Sequence, residues 1–216
     1  MVPRFNEGII EQAALEWLRE LGYTILHGEA IAPGEPAAER GGYGEVLLLE
    51  RFRAVLTRIN GHIPPASRAE TMDEVVRKMT RSATQNLLVN NHNFHRMLTD
   101  GIDVSYRSDG QVKHDKIWLV DFNNPDANDW LAVNQFTITD VNLQTRAKTQ
   151  RRPDVMLFIN GLPLVMIELK NPADTNVTIR KAFNQLQTYQ EDIPSVFTYN
   201  ALLAISDGVE ARLGHV

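Results

Sequence analysis

The sequence predicts an α/β domain in which a central mixed β-sheet is flanked by helices and the N-terminal half is mainly helical. Three observations carry that prediction. Apolar residues recur at helical spacing through roughly the first hundred positions, the period changes to two from about residue 102, and a late helical stretch leads into one more strand.

The elements follow in order. FNEGIIEQAALEWLRELGY places Ile10, Ala14, Trp17, Leu18 and Leu21 at helical spacing, with Asn6 as an N-cap and Gly22 past the end, predicting a helix over about 7–21. The Gly-, Pro- and Ala-rich stretch HGEAIAPGEPAAERGGYG reads as an exposed loop rather than a domain boundary. EVLLLERFRAVLTRIN is a second helix, and Thr71 with Glu74 forms a capping box for a third over TMDEVVRKMTRSATQNLLVN. IDVSYR, the turn SDGQ and VKHDKIWLVDF then read as a hairpin, and WLAVNQFTI follows the turn-rich NNPDAND. DVMLFI and LPLVMIELK flank Asn160-Gly161, a strong hairpin signal. VTIRKAFNQLQTYQEDI is a helix stopped by Pro194, and ALLAIS is a strand ending at Asp207-Gly208.

Composition narrows the function classes. The 216 residues are 43% hydrophobic, enough for a sizeable core. There is no cysteine, which excludes disulfides, a thiolate nucleophile and cysteine-ligated metals, and fits a reducing, cytoplasmic setting. MVPRFNEGII has no long apolar core and no later run approaches the roughly 20 residues of a membrane span, so neither secretion nor insertion is expected. A net charge of −5 argues against coating nucleic acid over a broad face, but QTRAKTQRRPD concentrates Arg146, Lys148, Arg151 and Arg152 just before Asp154.

The predicted hairpin 154–170 carries three charged residues among apolar ones. Side chains alternate along a strand, so Glu168 and Lys170 share one face. An ion pair between them would account for both without any function. Asp154 alters the balance through register. With a loop of only Asn160-Gly161, Asp154 lies opposite Ile167, on the wrong face for Glu168. One extra residue in a loop or bulge puts Ile159 opposite Pro163 and Asp154 opposite Glu168. The second register is the expectation, and it brings the two Cβ atoms to about 5 Å. Two such carboxylates repel unless a cation intervenes. Mg²⁺, with Mn²⁺ as a substitute, suits Asp154, Glu168 and the Leu169 carbonyl with water, and Lys170 would stabilise developing negative charge during phosphodiester hydrolysis.

These residues resemble a known family. Pro153-Asp154 with Glu168-Leu169-Lys170 looks like the PD-(D/E)xK nuclease signature. The longer text RRPDVMLFINGLPLVMIELKNP, with Gln185 and Tyr189 on the following helix, is similar to the N-terminal nuclease domain of the restriction (R, or motor) subunit of type I restriction-modification enzymes. EQAALEWLRELGY and NDWLAVNQFTI resemble that domain as well. The resemblance implies a restriction-endonuclease-like (PD-(D/E)xK) core and Mg²⁺-dependent cleavage of double-stranded DNA. Asp154 and Glu168 would bind the metal, Lys170 would be the catalytic lysine, and Gln185 and Tyr189 would support cleavage beside the site. Glu11 is the candidate for a helical acid completing the metal site, and Arg151, Arg152, Arg180 and Lys181 are candidates for DNA contact. Residues 1–216 would form a single nuclease domain, with a mainly helical part over 1–100 and a sheet-rich catalytic core over 101–216.

The resemblance implies that in an intact enzyme a helicase-like motor would use ATP, and that methyltransferase and specificity subunits would be partners. This chain has no G-x-x-x-x-G-K-[ST] loop, so the motor is absent from it and ATP is not expected to bind. The isolated chain is expected to be monomeric. The rival readings are a catalytically silent DNA-clamping or subunit-docking module of the same fold, and a stand-alone resolvase or exonuclease of the superfamily. His92 and His95, three apart, lack a third ligand for zinc; Trp17, Trp118 and Trp130 fit core or sheet positions; and Ser206-Asp207-Gly208 is a turn.

Overall fold

A computed structural model describes residues 7–81, 86–171 and 179–216. Its centre is a six-stranded mixed sheet. The strands are β1 (Thr24–His27), β4 (Trp130–Asn134), β7 (Val155–Ile159), β8 (Leu162–Leu169), β9 (Leu202–Ser206) and β10 (Ala211–Gly214), adjacent in that order. β1 runs parallel to β4 and β8 parallel to β9, while the other pairs are antiparallel. Two two-stranded ribbons stand apart from it: β2 (Ile102–Ser108) with β3 (Gln111–Ile117), and β5 (Ile138–Val141) with β6 (Lys148–Arg151).

Strand alternation gives the sheet two apolar faces. On one, Ile10 and Leu15 of α1 (Glu7–Glu20) pack on Ala132, Val155, Leu157 and Leu169. On the other, α5 (Ile179–Asp192) packs on β8 and β9, and the buried residues of α2 (Leu49–Ile59), α3 (Pro65–Arg81), α4 (Leu87–Asp100) and α6 (Pro194–Phe197) join Leu131, Val133, Met156, Phe158, Leu164, Met166, Leu203 and Ile205 in the main core. α5 is the crossover between the parallel strands β8 and β9, so it lies directly over the sheet. The mixed sheet between helices is the predicted fold class, consistent with a restriction-endonuclease-like core.

Several local expectations are corrected. The third helix begins at Pro65, six residues before Thr71; the Thr71 hydroxyl donates to the Ser67 carbonyl inside the helix (2.8 Å), so it forms no capping box. Proline at a first helical turn, where its missing N–H costs nothing, explains the earlier start. The long run 71–90 divides between α3 and α4, and Asn86, not read as a cap, accepts from the Val89 N–H. Asn6, the expected cap of α1, and Val177 and Thr178 of the late helix lie outside the described residues. β3 stops at Ile117 because the Asn60 side chain takes both backbone groups of Trp118, accepting from its N–H (2.9 Å) and donating to its carbonyl (2.9 Å). The stretch WLAVNQFTI breaks at Gln135, whose φ of 56° ends β4. Trp17 is 64% and Trp118 41% exposed rather than in the core; Trp130 lies on β4, edge-on to Tyr23 at 5.4 Å. Val209 N and Glu210 N donate to Asp207 Oδ1, which makes 206–208 the expected turn.

Candidate active site

The β7–β8 hairpin sets the geometry. Asn160-Gly161 forms the tight turn, with φ of 56° and 79°, so Ile159 pairs with Leu162 and not with Pro163 as expected. The extra residue enters higher up. Phe158 pairs with Pro163, the register slips at a bulge between Leu157 and Phe158, and beyond it Leu157, Met156 and Val155 pair with Val165, Met166 and Ile167. Proline cannot donate to the ladder, which favours an irregularity beside Pro163. Continued one step past Val155 and Ile167, that register sets Asp154 level with Glu168, whose carboxyl feels its charge, on the sheet face that α5 covers.

Hydrogen bonds hold the pair in place. The Leu169 N–H donates to Asp154 Oδ2 (2.7 Å), and the Gln135 N–H donates to the Asp154 carbonyl (3.0 Å). Glu168 is 1% exposed. Its Oε1 accepts from Lys170 Nζ (2.8 Å), which also donates to the Leu169 carbonyl (2.9 Å). Its Oε2 is buried with no hydrogen-bond partner. Burial, and next the negative charge of Asp154, push the Glu168 carboxyl up to about 8 despite the opposing Lys170 ammonium.

α5 roofs the site. Gln185 and Tyr189, four apart and therefore on one face, meet directly: Gln185 Nε2 donates to the Tyr189 hydroxyl (2.6 Å). Burial chiefly, then the Glu168 charge, raises the Tyr189 phenol well above its ordinary range, so it stays protonated.

Other expected site residues are placed differently. Glu11 belongs to α1 on the opposite face of the sheet, and its carboxylate accepts from Asn134 Nδ2 (2.6 Å) and Gln135 Nε2 (2.8 Å). Among the described residues no group of three or more His, Asp or Glu side chains is placed to hold a metal, and both Glu11 oxygens are taken by these two amides. Arg151 is committed to Asp192 through its Nε (2.6 Å) and a second guanidinium nitrogen. Arg180 lines an apolar groove between α5 and β9–β10 with Phe183 and Leu213, whereas Lys181 lies one turn before Gln185 on the Tyr189 side. Arg152 is exposed. His95 faces the Asn200 carbonyl through Nε2 (3.0 Å), a structural tie of α4 to the segment before β9. Asp192, Asn134 and Gln135 carried no sequence signal; each acts through a partner 41 to 124 positions away.

The arrangement offers a cation only oxygen: Asp154, Glu168 and the Leu169 carbonyl. That donor set suits a hard divalent ion, and the unpartnered buried Glu168 Oε2 is an atom such an ion would satisfy. Among the described residues no helix is long and apolar enough to cross a membrane.

Comparison with known proteins agrees with the resemblance in the sequence. Residues 4–216 match the family described as type I restriction enzyme R protein N terminus. The HindI type I restriction enzyme endonuclease subunit of Haemophilus influenzae is 38% identical over 209 residues, covering 97% of this chain and 19% of the relative. The provisionally named MjaIXP type I endonuclease subunit of Methanocaldococcus jannaschii is 32% identical over 212 residues, 98% of this chain and 19% of the relative. The EcoprrI endonuclease subunit of Escherichia coli is 35% identical over 108 residues, 48% of this chain. The chain thus spans about a fifth of the length of the first two relatives. It belongs to the family of type I restriction enzyme R protein N-terminal regions.

Proposed function

We propose that this chain is a Mg²⁺-dependent endonuclease domain of a type I restriction enzyme R subunit, hydrolysing phosphodiesters of double-stranded DNA without sequence specificity of its own. The observation that supports it most is the level placement of Asp154 and Glu168, with Glu168 Oε2 buried and unpartnered beside the Lys170 ammonium. Asp154, Glu168 and the Leu169 carbonyl would hold the ion. When bound, it supplies Lewis-acid polarisation of the phosphate and a lowered pKa for a coordinated water.

The chain's own residues supply the rest. The Leu169 N–H fixes the direction of the Asp154 carboxylate. Lys170 presents a positive charge next to the carboxyl pair, where it would stabilise negative charge developing on the phosphate and orient the attacking water. Gln185 holds the Tyr189 hydroxyl over the site, which limits water access and fixes the roof. Selection of a recognition sequence and ATP-driven translocation would belong to methyltransferase and specificity subunits and to a motor, in keeping with the length of the relatives.

Calorimetric titration with Mn²⁺ or Mg²⁺, run with nicking of supercoiled plasmid, tests the reading. Asp154→Ala and Glu168→Ala should each abolish ion binding and nicking together. Ion binding untouched by either substitution refutes a shared site, and a silent docking module then becomes the better reading.

A further inference from the structure

The β5–β6 ribbon is the most basic part of a chain whose net charge is −5. Over residues 138–152 it carries Arg146, Lys148, Arg151 and Arg152 against the single acid Asp140. It begins just after β4, and its β6 end, three residues before Asp154, runs in the chain directly into the carboxyl pair. The turn brings Arg146 to its tip with φ of 59°. Arg146, Lys148 and Arg152 are exposed and make no ion pair among the described residues.

A loose basic loop would be an ordinary solvated surface, but this one is fastened. Asp192, buried at the end of α5, accepts from Arg151 Nε (2.6 Å) and from Asn142 Nδ2 (2.6 Å). The Thr149 hydroxyl donates to the Asp192 carbonyl, and the Leu143 N–H to the Glu191 carbonyl (2.9 Å). Gln144 Nε2 donates to Glu191 Oε1 (2.8 Å), and the Ser195 N–H to Asp140 Oδ2 (2.8 Å). The ribbon is therefore bolted along its length to the end of the helix that carries Gln185 and Tyr189, with three free cations facing outward. A fixed row of positive charge matches a polyanion of regular spacing.

We propose that the β5–β6 ribbon is an arm that grips the DNA backbone: Arg146, Lys148 and Arg152 each take a phosphate, while Arg151, neutralised by Asp192, holds the arm to α5 and contacts none. The choice of DNA as the polyanion rests on the proposed nuclease reading. The arm's own role does not require the metal.

The test is fluorescence anisotropy of a labelled duplex with the 216-residue chain in chelator, so that no cleavage occurs, over a range of salt concentrations. Arg146→Gln, Lys148→Gln and Arg152→Gln should each weaken binding several-fold. Each should reduce the slope of log K against log salt by about 0.9, and the triple variant by about 2.7. Arg212→Gln, on the exposed far edge strand, should leave both unchanged. The near-isosteric pair Arg151→Gln with Asp192→Asn should keep the slope; a fall of about one would make Arg151 a phosphate contact and overturn its assignment. Failure of the unaltered chain to bind at low ionic strength, or an unaltered slope in the triple variant, overturns the arm. A chain that nicks plasmid but keeps its slope in the triple variant defeats the arm and leaves the nuclease standing. A slope that falls as expected in a chain that never nicks defeats the nuclease and leaves the arm.

Discussion

Replacing Glu168 with Gln isolates the electrostatic cost of the carboxyl pair. Burial first, and Asp154 second, raise the Glu168 carboxyl from 4.5 to about 8. A folded-state pKa above the unfolded one means that the folded chain holds the extra proton in between. The associated stability is present below the unfolded value and is lost as pH rises through the folded one. At about 1.4 kcal/mol per pKa unit the loss is on the order of 5 kcal/mol between about pH 4.5 and about pH 8. For a domain of this size that is a fall in Tm of roughly 10–20 °C. Thermal unfolding in chelator across this window should show the decline, and Glu168→Gln, which has no charge to bury, should flatten it and melt above the unaltered chain near about pH 8.5. Saturating Mg²⁺ should reverse the trend if the pair holds the ion as proposed, since a cation would bind its deprotonated form. A Glu168→Gln chain whose Tm declines in parallel with the unaltered one would show that Glu168 is not the group held protonated, and the reasoning from burial would fail.

Other perturbations follow from particular contacts. Gly161→Ala should cost at least about 2 kcal/mol in chemical denaturation, since φ of 79° penalises a side chain and its Cβ would sit 2.5 Å from the Leu48 carbonyl oxygen; an unchanged midpoint contradicts the turn. Arg151→Met should cost about 1–3 kcal/mol by leaving buried Asp192 without its cation, less than for a fully buried pair because Arg151 is partly exposed. Lys170→Met should tighten Mn²⁺ binding about tenfold in calorimetry while abolishing nicking, because the ammonium sits on Glu168 Oε1 and the Leu169 carbonyl; weaker binding refutes the competition. Tyr189→Phe should lower nicking about tenfold while changing stability by only about 1 kcal/mol, since it removes only the hydroxyl that Gln185 reaches; unimpaired nicking would make the contact purely structural.

What was legible in the sequence was what repeats locally. The periods of α1, α2, α5 and β7–β9, and the Asn-Gly turn, are short-range patterns and fall where they were read, to within a few residues. The level placement of Asp154 and Glu168 was legible because alternation leaves only two registers, and one of them buries an acid alone. The route to it was not: the extra residue sits at a bulge near Pro163 rather than in the turn, a choice governed by packing under α2 and by the Leu48 N–H bond to the Gly161 carbonyl. Thr71 misled because a Thr-x-x-Glu pattern also fits a helix interior. Trp17 misled because helical spacing gives a stripe but not its edges, and Leu15 took the core position instead. Asp192 was invisible: an acid at a helix end is ordinary until the fold brings β6 to it.

The rival account of Glu168 and Lys170 is an ion pair kept for stability. It explains Glu168 Oε1, which Lys170 meets, and nothing else. A buried pair of that kind is stabilising only when its remaining polar atoms are also satisfied, yet Oε2 is left without a partner and a second carboxylate is held level with it by the Leu169 N–H. Asp154 adds a negative charge where a structural pair would need relief, so that Glu168 ionises only as pH rises toward about 8, and an asparagine there would accept the same N–H without the charge. A divalent ion bound by both carboxylates would offset both costs. The arrangement is therefore poor as a stabilising device and well suited to cation binding, which is why the unpartnered oxygen weighs more than the visible salt bridge.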